Sequence, residues 1–277
     1  MRSIPVKYAF ICLLALFAWG MGGGSCMAGS LEWSKLEAGI ESYSFALNLD
    51  SRAKENDTVS VVVLRFDPKL VDFELLMASE QGQARTLDDW AQKYGLLAAI
   101  NASMYLPDGL TSTGYMRRDM HANNSRVGTA FGAFFVAGPD NEALPPAAVL
   151  DRNYDDWENL LPHYKIVIQN FRMITPEGKP LWNGDRRPFS IAAVGQDTEG
   201  RILFLHCGQP VMVNDFVEGA LAQPLGLERL MYVEGGYQAA MLVNTVAWKQ
   251  IWTGRYSPLL QIGGLALLPN VLGVKGR

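Results

Sequence analysis

Leu230-Met231-Tyr232-Val233-Glu234-Gly235-Gly236-Tyr237-Gln238-Ala239-Ala240 sets a carboxylate at the end of an apolar run, with two glycines before the next run begins. The four residues ahead of Glu234 read as a buried strand that delivers the acid to a sheet edge or mouth. Gly235 and Gly236 lack the Cβ atoms that would keep another molecule away from the backbone. An acid beside bare backbone suits a polar, hydroxyl-rich substrate. The same letters also fit a β-bulge or tight turn with a surface Glu. The motif therefore has to be weighed with its surroundings.

Outward from this strand, short apolar runs alternate with turn chemistry. Strands are expected at Val61–Phe66, Phe73–Ala78, Leu96–Ile100, Phe131–Ala137, Lys165–Ile174, Ser190–Gln196, Ile202–His206, Gln238–Asn244 and Leu265–Val274. Thr86–Tyr94 reads as a helix, with Thr86 as its cap, Leu87, Trp90 and Ala91 on one face, and Gly95 as its stop. Short helices are expected at Asp155–Leu161 and near Asp215–Ala222, whereas Pro139–Arg152 reads as loop. Strands outnumber helices, and several connections are of hairpin length. The expected fold is α+β: a sheet-rich single domain, mixed or antiparallel, with a few flanking helices.

The first residues form a separate unit of meaning. Arg2 and Lys7 precede an apolar stretch from Tyr8 to Trp19, and small residues follow, so residues 1–28 read as a signal peptide ahead of a domain at 29–277. Cys26 after Gly23-Gly24-Ser25 resembles a lipoprotein cleavage site and suggests a membrane tether. The expected location is periplasmic or extracellular. With Cys12 and Cys26 in the leader, Cys207 is the one thiol left, which excludes an intrachain disulfide framework. It reads as a buried structural Cys, since His206 beside it points to the opposite strand face. A net charge of −4 argues against nucleic acid as a partner, and 49% hydrophobic residues suffice for a packed core.

Three segments pair an apolar strand with polar groups. Asn101-Ala102-Ser103-Met104-Tyr105 offers an amide suited to sugar hydroxyls or phosphate oxygens. Ile168-Gln169-Asn170-Phe171-Arg172 places a cation in a largely apolar strand, where it needs a partner or an anion. Glu234-Gly235-Gly236 is the third. Together with Arg187-Pro188-Phe189-Ser190-Ile191-Ala192-Ala193-Val194-Gly195, their order resembles the phosphodiester glycosidase family over roughly Val61 to Val243. That family carries Asn-Gly-Gly-Phe-Phe-like, Gln-containing, Pro-Arg-Thr-Ala-Ile-Gly-like and Asp-Gly-Gly motifs in this sequence order. Here Glu234 replaces the Asp, Ala102 and Ser103 replace two glycines, and Phe189 stands in the place of an arginine.

The resemblance implies an exported hydrolase acting at an anomeric carbon whose leaving group is a phosphate monoester. It implies Glu234 as base or stabilising carboxylate, assisted catalytically by Asn101. Arg172 and Arg187 are the implied phosphate contacts, with Ser190, Ser103, Gln169, Gly235 and Gly236 lining the substrate. The implied partner is a carbohydrate or sugar phosphate of the envelope or an exopolysaccharide. No cofactor is specified, and the scattered His121, His163 and His206 give no metal site. The alternative is a non-catalytic glycan-binding envelope protein, with Trp182, Tyr237 or Trp248 on a flat platform. Either way, residues 101, 172 and 234 are expected on one concave wall.

Overall fold

The computed structural model describes residues 32–47, 59–182, 187–255 and 266–277, and the span Glu32–Arg277 is one compact unit. The signal-peptide reading, Cys26 and the start of the last expected strand at Leu265 lie outside the described residues.

Strands are numbered in chain order. The first sheet runs β1 (Ser34–Glu37), β2 (Ile40–Leu47), β3 (Val59–Phe66), β12 (Ile202–Val211), β11 (Phe189–Asp197), β13 (Leu227–Gly235). The second runs β7 (His121–Asn124), β6 (Met116–Arg118), β10 (Tyr164–Asn170), β8 (Ala133–Pro139), β9 (Ala147–Asp151). The third runs β15 (Lys249–Thr253), β14 (Ala240–Asn244), β5 (Ala98–Asn101), β16 (Asn270–Gly276), β4 (Val71–Met77). Every pairing within them is antiparallel. The chain is thus mostly β, with short helices, and the mixed-sheet option of the sequence reading falls away.

The three sheets turn one face each to a shared core that holds Phe66, Ile100, Phe135, Phe204, Met231 and Leu272. The outer faces are covered separately. Helix α4 (Val213–Leu221) packs Phe216 and Val217 on the back of the first sheet against Val61, Val63 and Leu205. Helix α2 (Leu87–Tyr94) packs Leu87 and Trp90 on the third sheet. Both faces of β12 are therefore buried, which is why Ile202-Leu203-Phe204-Leu205 reads as an unbroken apolar run and not as an alternating one. Each such side chain contributes about 1.5–3 kcal/mol by leaving water. The α2 boundaries match the sequence signals: Thr86 accepts a hydrogen bond from Asp89 N, and Gly95 closes the helix with φ 66°.

Four local expectations are corrected. The stretch 139–152 contains β9, whose apolar residues are buried by β8 and β13 despite the preceding prolines. The last strand, expected over Leu265–Val274, is β16, which begins at Asn270 and runs on to Gly276. Strand β10 stops at Asn170, so Arg172 lies beyond it, and β14 begins at Ala240 because Gly236–Gln238 forms a single 3-10 turn. Strands β1, β2 and β15, weak in apolar pattern, were not foreseen.

Candidate active site

Glu234 is placed by a β-bulge. In the β11–β13 ladder Ala193 pairs with Tyr232 and Ala192 with Glu234, leaving Val233 as the extra residue. Both readings of the opening motif are thus partly right: the bulge is there, but the acid it carries is buried, only 6% exposed. The side chain folds back so that Oε1 accepts a hydrogen bond from Gly235 N at 2.8 Å. Burial pushes its carboxyl up from 4.5 to about 8, against the smaller downward pull of the Gly235 N–H. At neutral pH this residue is predominantly a neutral acid.

Three chain segments converge around it. Asn101, at the end of β5, accepts a 2.6 Å hydrogen bond at Oδ1 from Ala240 N, just past the turn that follows Glu234. Phe171 O accepts from Tyr232 N at 3.0 Å, and the adjacent Asn170 donates through Nδ2 to Ala102 O at 3.3 Å. Tyr105 reports the same proximity, since its phenol is pushed up by burial first and then by the nearby Tyr237 and Glu234. The Asn101 and Glu234 motifs therefore meet. Within the segments that meet, Ser103 Oγ and Asn170 Oδ1 are buried and find no hydrogen-bond partner among the described residues. An unpaired buried polar atom costs about 1–3 kcal/mol, so such groups mark a place for a polar ligand.

Two residues of this site escaped the sequence reading. Asn170 sits on the same strand face as Ile168, toward the shared core, whereas Gln169 faces the other way. The period of two within β10 was the available signal. His206 pairs across the sheet with Ala192, the residue that also pairs with Glu234, and its Nε2–H donates to Ala239 O at 3.1 Å. Burial depresses it to about 4, so it stays neutral and pins the turn behind the acid. Cys207, one residue on, is buried on the opposite face, and burial pushes its thiol up to about 12.

The remaining expected residues lie elsewhere or are engaged. Gln169 uses all four of its hydrogen-bonding positions on backbone: Nε2 donates to Gly128 O and Phe131 O, and Oε1 accepts from Gly128 N and Tyr115 N. It clasps the 128–131 turn and has nothing left for a substrate. Ser190 Oγ accepts from Arg255 N at 2.6 Å and lies 2.7 Å from Gly208 O, which makes it a structural clasp as well. Gly235 is required by internal packing, since a Cβ there would stand 2.1 Å from Tyr232 Oη. Gly236, at φ 65°, is half-buried with open space where a Cβ would stand. Arg187 is exposed, two residues ahead of β11. Arg172 pairs by backbone with Met231 but turns its guanidinium onto Asp151, with Nη1 2.7 and 2.8 Å from the two carboxylate oxygens. The cation found its partner in β9, the strand hidden in the expected loop.

A family model described as phosphodiester glycosidase matches residues 94–275. Among solved structures, the catalytic domain of zebrafish N-acetylglucosamine-1-phosphodiester alpha-N-acetylglucosaminidase, auto-inhibited by its pro-peptide, superposes with a TM-score of 0.66 at 15% identity, over 87% of this chain and 85% of that one. A hypothetical protein from Synechocystis gives 0.56 at 12% identity, over 86% and 62% of the two chains. A Burkholderia pseudomallei protein gives 0.52 at 10% identity, over 78% and 74%. Comparison with curated proteins returns no match.

Proposed function

Because the chain belongs to the phosphodiester glycosidase family, we propose that it hydrolyses a sugar-1-phosphodiester at the anomeric carbon, with Glu234 as the acid. The observation that carries this reading is a buried carboxyl held neutral at the meeting point of three polar segments. A phosphodiester is an anion, and an ionised Glu would repel it. A neutral one admits it and donates a hydrogen bond, the reason carboxyls are kept protonated in apolar sites. As the bond from the anomeric carbon to the phosphate oxygen breaks, the Glu234 proton passes to that oxygen. A water oxygen bonds to the carbon, and the proton it sheds restores the carboxyl. Ser103 and Asn170 offer hydrogen bonds to the sugar hydroxyls, while Asn101 and His206 hold the two loops that frame the acid.

The change from Asp to Glu adds one methylene, about 1 Å of reach. Folding back onto Gly235 N takes up that length. The role favoured for Glu234 is thus that of an acid that donates first and then takes up water's proton, where the resemblance implied a base or a stabilising carboxylate. We further propose that residues 1–28 direct export and that the substrate belongs to the envelope or an exopolysaccharide. The glycan-binding alternative wanted a common aromatic platform, but Trp182 meets Phe171 edge-on and Tyr232 at a tilt, while Trp248 packs on Trp252 beside Val62.

The test is turnover of a panel of sugar-1-phosphodiesters by purified protein, read as release of the phosphate monoester. Wild type should turn over at least one member, with activity declining above about pH 8 as the proton is lost. Glu234→Gln should lower kcat by about 100-fold or more. Unchanged turnover in Glu234→Gln removes the residue from the mechanism, and an inert wild type defeats the enzyme reading.

A further inference from the structure

A cavity of about 430 Å³ opens beyond β13 on the side away from the shared core, between the 129–132 turn, Arg152-Asn153 and the Phe171–Arg172 and Leu181–Trp182 pairs. Among the described residues its lining carries two arginines and no carboxylate. Three aromatic rings form a continuous chain through it: Phe131 to Phe171 at 4.6 Å, Phe171 to Trp182 at 5.4 Å, both edge-on. The chain continues from Trp182 to Tyr232 at 5.2 Å, and the Tyr232 hydroxyl lies against Gly235, the residue after the acid.

Every wall of this cavity is held in place. Arg172 is fixed by Asp151, itself 1% exposed, and by Gly132, whose absent Cβ lets the side chain lie close along the strand. Arg152 donates through Nη1 to Gly128 O at 2.9 Å and sits 5.3 Å over the Trp157 ring. In the described structure both guanidinia bond through Nη1 alone, which leaves planar N–H groups on each. Trp182 Nε1 donates to Arg172 O at 3.1 Å, and Gln169 pins the Phe131 turn. Preorganised walls of this kind lower the entropy lost when a ligand binds.

We propose that this cavity is a binding subsite for an anionic saccharide, a sugar unit bearing a phosphate or a carboxylate. Sugar C–H faces stack on aromatic rings, and a fixed guanidinium fork matches an oxyanion in two-point geometry. A cavity of this size accommodates one to two sugar rings. Asp151 pairs with Arg172 and Glu177 lies within its electrostatic reach, so Arg152 is the cation offered to a singly charged unit. Resting on the hydrolase reading, the subsite receives the part of the substrate beyond the phosphodiester, and the preferred substrates are phosphate-linked or acidic glycan chains. Arg172 then contributes to the far subsite and not to the reacting phosphate.

Calorimetric titration separates the two readings. Purified full chain is titrated with glucose 6-phosphate, an oligogalacturonate and maltose, in wild type, Arg152→Gln, Trp182→Phe and Glu234→Gln. At least one acidic ligand should bind tenfold or more tightly than maltose and weaken with added salt. Arg152→Gln should weaken that ligand about tenfold, with its unfolding midpoint near wild type, and Trp182→Phe should do so less. Glu234→Gln should bind it as wild type does, so binding with no turnover would leave the subsite standing while the hydrolase reading fails. Equal affinity for acidic and neutral sugars, absence of binding, or an unaffected Arg152→Gln would overturn the subsite.

Discussion

Replacing Glu234 by Gln removes a buried acid while keeping its shape, and the consequence for stability can be worked out. In the folded chain the carboxyl keeps its proton up to about pH 8, whereas the unfolded carboxyl loses it near 4.5. Between those values folding must take up a proton, and stability falls by about 1.4 kcal/mol for each pH unit as pH rises. The term is fully favourable below 4.5 and fully lost above about 8, a total of about 5 kcal/mol. Glutamine stays neutral throughout. Glu234→Gln should therefore match wild type near pH 4.5 and exceed it by about 3 kcal/mol at about pH 7. For a chain of this size that is a rise in Tm of about 6–12 °C.

His206 works in the other direction. Burial depresses it from 6.5 to about 4, so its contribution is complete above 6.5 and declines as pH falls toward 4. That decline is common to both proteins and cancels in their difference. Urea titrations of the pair, at about half-unit steps across the window, measure that difference directly. A difference that stays flat with pH would refute the account of Glu234 as a desolvated acid. A substitution that stabilises the fold and abolishes turnover would have the signature of a strained catalytic group.

The two glycines after the acid should respond differently. Gly235→Ala meets the Tyr232 hydroxyl and should lose about 1–3 kcal/mol, less in a Tyr232→Phe background, whereas Gly236→Ala should lose about 1 kcal/mol through its positive φ alone. A double-mutant cycle on urea midpoints checks both. Gln169→Ala takes the side-chain partner from Tyr115 N, Gly128 N and Phe131 O, while Gly128 O keeps Arg152 Nη1, and should cost about 3 kcal/mol or more. An unfolding midpoint like that of wild type would show that the clasp is dispensable.

How much was legible in the sequence varied with how local the cause was. The α2 boundaries, the strand into Glu234 and the burial of Cys207 follow from periodicity and caps, each acting within a few residues. Strand β9 was missed because Pro145-Pro146 reads as loop, while its burial comes from β8 and β13, which lie near it only in space. The family resemblance implied Gln169 and Ser190 as substrate contacts. Their partners are backbone groups of Gly128, Phe131, Gly208 and Arg255, and residue type alone cannot show which neighbour satisfies a polar group.

The sequence by itself determined the sheet-rich character, the family through the order of its motifs, and the delivery of Glu234 to the end of a buried strand. These depend on residue pattern along the chain, which hydrophobic periodicity and turn chemistry set locally. Only the tertiary structure decided that Glu234 is a neutral acid, that Asn170 and not Gln169 faces the site, and that Arg172 belongs to an aromatic cavity nearby. Charge state and hydrogen-bond partnership depend on desolvation and on groups far away in sequence, and those exist only once the three sheets have closed on one another.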